Sequence, residues 1–344
     1  MKTEILARII LFIFIFAGIT IPVAGRVFFA TPSSTTIELH ARIPENGGWS
    51  MDHIQASVGE PIHLRLISDD VVHGFAIGKS DQPALEIIPG KIVDTTLVFD
   101  KPGTYTYYCT HWCSPNHWRM RGTIEVIGRG QNLDPEPLPL YLQLGIDIDA
   151  SHPALITPDS SPSAGRGAQL AGSLPLYATE LNTYQTSSPA QLWLRLRKES
   201  KLSKLKDEEI WDLVAFICQN RTSSETLSQA SRLYAANCAA CHGENGKGDG
   251  VVVRGLPEMD TQSMVHNRVH PPDFTNSKNL LGASPALLEG KMIRGGMGTG
   301  MPYWGPIFTE EQMDGLISYL YNFVWQFTTG NNSSHNSVTS YPSK

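Results

Sequence analysis

Hydrophobic and polar residues alternate in short runs along residues 36–128, and Gly, Pro and Asp residues separate the runs. A period of two is typical of strands that bury one face, and the separating residues favour turns. Short strands at regular spacing, with no long stretch of helical periodicity among them, indicate two packed sheets. The pattern therefore predicts an all-β Greek-key sandwich over residues 31–130.

The chain begins with a different pattern. Residues 9–25 are apolar and uncharged, and Lys2 and Arg8 precede them. This length is at the short end of the range that spans a bilayer, so residues 1–30 are predicted to be an N-terminal membrane anchor with the N-terminus in the cytoplasm. A cleaved signal peptide is the alternative, because residues 23–25 are small. Both interpretations place the remaining domains on the outer side of the membrane.

Beyond residue 130 the chain changes character again. Pro, Asp and Ser are frequent up to residue 163, which is typical of a linker, and helical periodicity follows. The predicted order is a linker and helical segment over residues 131–224, an all-α domain over residues 225–328, and a disordered polar tail over residues 329–344. Thr309 and Gln312 form the pattern of a capping box, which predicts the start of a last helix that runs to Trp325.

Composition narrows the function classes. The 344-residue chain is long enough for about two or three domains. Its net charge is −6 and it has no long basic run, so nucleic acid is not an expected partner. The sequence contains no Ser-His-Asp set, phosphate loop or dinucleotide fingerprint. Of its five cysteines, four lie in two short motifs, and Cys218 lies in an apolar helical pattern where a buried packing role is expected.

The first motif lies in residues 108–120 and contains Cys109, Cys113, His117 and Met120. Thiolate, imidazole and a weak thioether ligand suit an electron-transfer copper site, and a pair of thiolates can hold two copper ions. A disulfide between the two cysteines or a copper-chaperone site are alternatives. Neither alternative accounts for the histidine and the methionine at these offsets.

The second motif is Cys238, Cys241 and His242, which has the Cys-x-x-Cys-His spacing of a c-type haem attachment site. A helical run precedes it, and a Gly-rich segment with Met301 followed by Pro lies downstream. Met292 and Met297 compete for the role of sixth haem ligand. Met292 lies in a helical stretch that favours packing, and Met297 lacks the following Pro.

Both motifs resemble known families. Residues 31–130 resemble the binuclear CuA domain of cytochrome c oxidase subunit II and of nitrous oxide reductase, which implies the cupredoxin fold. The resemblance further implies His73 as a ligand and the main-chain carbonyl of His111 as another, although oxidases usually carry Glu at that position. Residues 225–328 resemble a class I cytochrome c, which implies Met301 as the axial ligand.

The resemblance implies one covalently bound haem c and a binuclear CuA centre. It is weak over residues 164–220, which are interpreted either as a degenerate cytochrome without haem or as helices that pack against the next domain. The implied function is a membrane-anchored electron-transfer subunit of a terminal haem–copper oxidase, with oxygen reduction on a partner subunit I. A carrier for another reductase, such as nitrous oxide reductase, and a copper-delivery protein are the alternatives.

The order of the domains suggests a direction of electron flow. A linker rich in Pro and Ser predicts that the haem domain is the outer, more mobile one, able to meet an electron donor. Electrons would then enter at the haem and leave from copper.

Overall fold

The computed structural model describes residues 36–80, 82–114, 116–128, 137–253, 270–296 and 300–325. The predicted anchor, the polar tail and Met297 lie outside these residues. Within the described ranges, no helix is long and apolar enough to cross a membrane.

The N-terminal region is a sandwich of two sheets, as the alternation predicts. One sheet has the strand order β1-β3-β6 and the other has the order β2-β8-β7-β4-β5. Strand β1 pairs in parallel with β3, as β2 does with β8, and the remaining pairs are antiparallel. The strands are β1 (Ile37–Ala41), β2 (His53–Ser57), β3 (Ile62–Ser68), β4 (His73–Ile77), β5 (Leu85–Ile87), β6 (Ile92–Leu97), β7 (Gly103–Tyr108) and β8 (Arg121–Ile127).

The sandwich core forms where the inner faces of the two sheets meet. In β3 every second side chain is buried, so Ile62, Leu64 and Leu66 point inward. An aromatic cluster of Trp49, Phe75 and Tyr107 lies in the same core, with ring centroids 5.7–5.9 Å apart. These packed strands fix the ends of β4, β7 and β8, where the first motif lies.

The second region is helical. Its helices are α1 (Leu140–Gln143), α2 (Ala164–Leu170), α3 (Leu181–Thr186), α4 (Pro189–Arg197), α5 (Asp207–Gln219), α6 (Ser224–Asn237), α7 (Ala239–His242), α8 (Ser277–Leu280), α9 (Pro285–Arg294) and α10 (Glu310–Tyr321). The predicted capping box is present, since Thr309 and Gln312 each bond the other's backbone amide. The last helix ends at Tyr321, a turn earlier than expected, and residues 322–325 continue as turns.

One hydrophobic core runs through the whole helical region. It joins Trp193 and Trp211 of the middle segment to Leu316 and Ile317 of the last helix. Helices α6 and α10 cross within it, where the rings of Tyr234 and Tyr319 lie 5.3 Å apart. The described helical part of the middle segment therefore packs on the haem-motif helices.

The described part of the predicted linker also belongs to this core. Tyr141, Ile148 and Ala154 are buried in it. The Lys291 ammonium donates to the Ile148 carbonyl at 2.7 Å, which ties this segment to α9. Composition predicted a spacer here, but the few apolar residues of residues 137–163 are enough to pack it down.

The helical domain touches the sandwich directly. The Lys79 amide, just after β4, donates to the Ile307 carbonyl at 2.9 Å. Arg121, the first residue of β8, donates through Nη1 to the Tyr303 carbonyl at 2.6 Å. The linker composition predicted a separate outer domain, whereas the structure docks the segment around residue 303 onto strands β4 and β8.

Candidate metal centres

The first centre lies where three strands of the five-stranded sheet end. His73 opens β4, Cys109 follows β7, and Met120 immediately precedes β8. The Cys109 amide donates to the Met120 carbonyl at 3.0 Å, which closes the intervening loop onto its own base. Ligands that are 36 residues or more apart in sequence, such as His73 and Cys109, are thereby brought together by strand pairing.

The donor atoms converge within this loop. The ligand atoms of His73, Cys109 and Cys113 all lie within 4.8 Å of one another. The Cys109 sulfur lies 3.8 Å from His73 Nδ1, and the Cys113 sulfur lies 3.4 Å from the Met120 sulfur. Both cysteines are free thiols rather than a disulfide.

The His111 carbonyl also faces the cluster. It lies 3.3 Å from the Cys109 sulfur, whereas its ring turns away toward Glu86, with Nε2 3.4 Å from the carboxylate. The main chain of His111 is therefore at the centre and its side chain is not. This placement suits a carbonyl ligand, for which the identity of the side chain is secondary.

Asp70 orients His73. Its carboxylate lies 2.7 Å from His73 Nε2 and accepts a hydrogen bond from it, which fixes the ring with Nδ1 facing Cys109. Burial opposes protonation of His73, but hydrogen bonds with Cys109 and Asp70 raise the net pKa of the imidazole. Sequence reasoning missed Asp70; its only signal was a carboxylate three residues before a predicted ligand.

The two sulfurs act as a pair. The hydrogen bond from Cys113, followed by contacts with His117 and His73, holds the pKa of Cys109 well below its ordinary value. The pKa of Cys113 is raised, chiefly because its thiol proton is held by Cys109. A thiolate is the form of cysteine that binds metal, and one of the two is already stabilised by the surrounding chain.

Four of the predicted donor side chains are shielded from solvent. His73, Cys109, His117 and Met120 are 0, 3, 3 and 1 % exposed. His117 Nδ1 is buried and makes no hydrogen bond, which is expensive unless a metal takes its lone pair. Two thiolates, two imidazoles, a thioether and a carbonyl form a soft donor set that fits copper.

The other histidines of the sandwich lie away from this cluster. The rings of His40, His53 and His63 bond Asp69, Thr123 and Thr96 at the surface of the sheets. These three histidines are therefore surface residues of the strands and not donors of the cluster.

The second centre occupies one helical turn. Cys238 ends α6, and α7 carries Cys241 and His242, whose amide bonds the Cys238 carbonyl at 2.8 Å. This turn presents both sulfurs and the imidazole together. The hydroxyl of Tyr234 donates to the Gly243 carbonyl at 2.8 Å and holds the turn against α6.

The environment keeps the ligand groups neutral. Burial lowers the pKa of His242 to about 4 and raises the pKa of Cys238 to about 12. The ring stacks on Phe274 at 4.7 Å; Pro272 lies near it, but Nδ1 makes no hydrogen bond of ordinary geometry. A neutral imidazole backed by an aromatic ring fits the proximal ligand of a haem.

The methionine candidates occupy different places. Met292 is buried in α9 as part of the helical core, as expected for packing. Met301 is half-buried at the edge of that core, and its carbonyl accepts from the Gly296 amide at 3.1 Å. Met301 remains the predicted sixth ligand.

These features define a chain with a cupredoxin-type copper site followed by a cytochrome-type haem motif. Residues 50–127 match the family model of the cytochrome c oxidase subunit II periplasmic domain, and residues 227–323 match that of cytochrome c. The resemblance inferred from the two motifs is confirmed: a region that matches the subunit II model precedes a region that matches the cytochrome c model. Residues 50–127 are therefore similar to a periplasmic redox domain.

The relatives cover only parts of the chain. Cytochrome c oxidase subunit 2 from Thermus thermophilus is 32% identical over 79 residues, which is 23% of this chain and 58% of that protein. Nitrous-oxide reductase from Ralstonia nicotianae is 32% identical over 95 residues, which is 26% of this chain and 14% of that protein. The matches thus span about half or less of these relatives.

Two solved structures resemble parts of the chain. A chain from a haem–copper terminal oxidase dimer is 25% identical and has a TM-score of 0.24; the match covers 37% of this chain and 98% of that one. The periplasmic domain of oxidase subunit II from Bradyrhizobium japonicum is 20% identical with a TM-score of 0.23, covering 27% and 84%.

Proposed function

We propose that this chain is the electron-transfer subunit of a terminal haem–copper oxidase. One observation carries the proposal: a subunit II donor cluster and a cytochrome c motif lie on one chain, and the two domains contact each other. When bound, one haem c and a binuclear CuA centre would each accept and release single electrons. Oxygen reduction would take place on a partner subunit I.

The chain's own residues would prepare each centre for fast transfer. Cys109, Cys113, His73, His117, Met120 and the His111 carbonyl would hold the two copper ions. Since the histidine and thioether donors are enclosed and Asp70 fixes one imidazole, little would need to move when the charge changes. Cys238, Cys241, His242 and Met301 would hold the haem, and His/Met ligation favours a high potential.

We further propose that electrons enter at the haem and leave from copper for subunit I. Both redox domains would lie on the outer side of the membrane. The direction rests on the assignment of the sandwich to subunit II, whose copper centre would serve subunit I. An N-terminal span over residues 9–25 would hold the copper domain at the membrane surface. An electron donor, soluble or membrane-bound, would meet the haem domain.

Metal analysis and a reductive titration test the core of the proposal. The mature protein should contain two copper atoms and one haem, and it should take up two electrons, one at each centre. A single copper with the electron paramagnetic resonance of a mononuclear blue site would contradict the binuclear assignment.

A relay test addresses the direction. In a Cys109→Ser, Cys113→Ser variant, a reduced donor should still reduce the haem at the normal rate, while onward transfer to subunit I stops. Onward flow that persists without copper would show that the relay order is wrong.

A carrier for nitrous oxide reduction is the second candidate. The 95-residue similarity to nitrous-oxide reductase and the residue His111, where oxidases usually carry Glu, favour it. Copurification from detergent extracts distinguishes the two functions. An oxidase subunit should copurify with a haem–copper subunit I, and a carrier for nitrous oxide reduction should not. Copper that leaves the protein for an apo-acceptor would instead indicate delivery.

A further inference from the structure

The contact between the two domains contains a half-buried cation that the ligand sets do not use. Arg121 lies directly after the predicted copper ligand Met120 and pairs with Tyr108 across β7 and β8. Its guanidinium lies 4.8 Å from the ring centroid of Tyr303 and 5.2 Å from that of Trp304. It therefore fits into an aromatic pocket on the other domain.

The pocket holds the cation with aromatic and carbonyl groups. Arg121 Nη1 donates to the Tyr303 carbonyl at 2.6 Å. Arg121 is half-buried, so its charge is partly removed from water. Among the described residues, no carboxylate forms an ion pair with this guanidinium. A cation–π contact depends on where the cation lies over the ring face, so it fixes the position of Arg121 on Tyr303 and Trp304 more closely than long-range charge attraction would.

A second contact lies beside the first. Gly78 and Lys79 follow β4, the strand that His73 opens, and they touch Pro306 and Ile307. A Cβ on Gly78 would lie 2.2 Å from the Pro306 carbonyl oxygen, so the backbones approach as closely as glycine permits. We call these two contacts together the domain interface.

The domain interface joins the two ligand sets by a short route. Arg121 is one residue after Met120, and Tyr303 is two residues after Met301. A single hydrogen bond, from Nη1 to the Tyr303 carbonyl, completes a path of covalent bonds between the two methionines. No gap through space has to be crossed along this path.

We propose that Arg121 is a positioning residue that locks the segment around Met301 onto the copper-ligand strands and bridges the two centres. The bridging part rests on the proposed function, because it requires that Met120 and Met301 bind copper and haem. The docking part depends only on the described contacts. The transfer that the bridge serves moves one electron from ferrous haem to the oxidised copper pair, and no bond forms or breaks.

Hydrogen exchange of the full-length mature protein tests the docking part. The Lys79 amide reports the domain interface, because its partner is the Ile307 carbonyl. Arg121→Gln should accelerate exchange of this amide by about tenfold or more, since it removes a cation–π contact and a hydrogen bond to a charged group. Arg121→Lys should restore protection in part. Arg65→Gln is the control, because Arg65 pairs with Asp94 on the opposite sheet and should change nothing.

A second variant reaches the same interface by another route. Gly78→Ala should accelerate exchange of the same amide through the clash with Pro306, while Arg121 is intact. Unchanged copper resonance and haem absorption would show that both domains remain folded. If Gly78→Ala accelerates exchange of the Lys79 amide and Arg121→Gln does not, the docking role of Arg121 is refuted. The role is refuted equally if neither variant changes the protection.

Flash reduction of the haem then tests the bridge. In Arg121→Gln, transfer from haem to copper should be slower than in the parent protein, with both spectra unchanged. An equal rate alongside lost protection would refute the bridge and keep the docking role. If the parent protein itself shows no transfer between the centres, the proposed function fails, and the exchange result still decides the docking role.

Discussion

The two ligand sets are built in different ways. The predicted copper donors lie at the ends of three strands and in the loop between two of them. Strand pairing joins His73 to residues 109–120, and the sandwich itself encloses them. The predicted haem donors Cys238, Cys241 and His242 share one helical turn and are only half-buried. The copper centre therefore depends on tertiary structure for its geometry. The haem motif needs little more than a local helix, and a bound haem would complete its enclosure.

The largest expected effect is the loss of the copper centre from a variant that keeps its haem. Cys109→Ser should abolish binding of the copper pair, because it replaces the thiolate on which His73, the His111 carbonyl and Cys113 converge. Haem content should be unchanged. Metal analysis and haem absorption check both. Cys218→Ser is the control, since this buried thiol lies in the helical core; copper loss there too would show that the effect is unfolding.

In the helical domain, two methionine variants distinguish a packing role from a haem-ligand role. Met292→Ala should lower the free energy of unfolding of the helical domain by about 2–4 kcal/mol, because it leaves a cavity in the core. Its haem absorption should stay normal. Met301→Ala should instead alter the axial-ligand absorption band with the covalent haem retained. A normal band in Met301→Ala would remove this residue from the ligand set.

The copper side should be sensitive to residues that touch no metal. Asp70→Asn should weaken copper binding by about 10- to 100-fold, because it weakens the bond that orients the His73 imidazole. Competition with a copper chelator measures the change. Asp69→Asn is the matched control: Asp69 bonds His40 and Arg42 and does not reach the cluster. Equal effects of the two variants would contradict the orienting role.

The smallest effect concerns pH. Burial, together with Asp314 and Glu310, raises the pKa of Glu289 above its ordinary 4.5. The folded helical domain therefore binds this proton more tightly than the unfolded chain, so stability falls as pH rises from 4.5 through the folded-state pKa. Glu289→Gln should stabilise the domain at pH 7 by less than about 1 kcal/mol. The gain should vanish below pH 4.5. Thermal melting at both pH values tests this, and a gain that persists in acid would contradict it.

Local patterns predicted most of these elements. Alternation predicted the sandwich, and spacing placed Cys109, Cys113, His117 and Met120 in one loop. Tertiary contacts were harder. Neither Asp70 nor Arg121 belongs to a motif, because a carboxylate that orients a ligand and a cation that crosses between domains have no fixed spacing. Residues 137–163 have a linker composition, yet Tyr141 and Ile148 pack them into the helical core.

The covalent link between the domains lowers the affinity that the domain interface needs to keep them in contact. Strand β8 ends at Ile127 and α1 begins at Leu140, so the two partners are tethered within a short distance. Tethering by a short link gives each domain an effective concentration of the order of millimolar toward the other. A dissociation constant of about 1 mM is too weak to hold two separate proteins together. Between the tethered domains, a contact of this strength would be occupied for about half the time. The few groups around Arg121 and Lys79 thus need only a modest affinity to keep the domains together for a large fraction of the time, and they still let them part quickly.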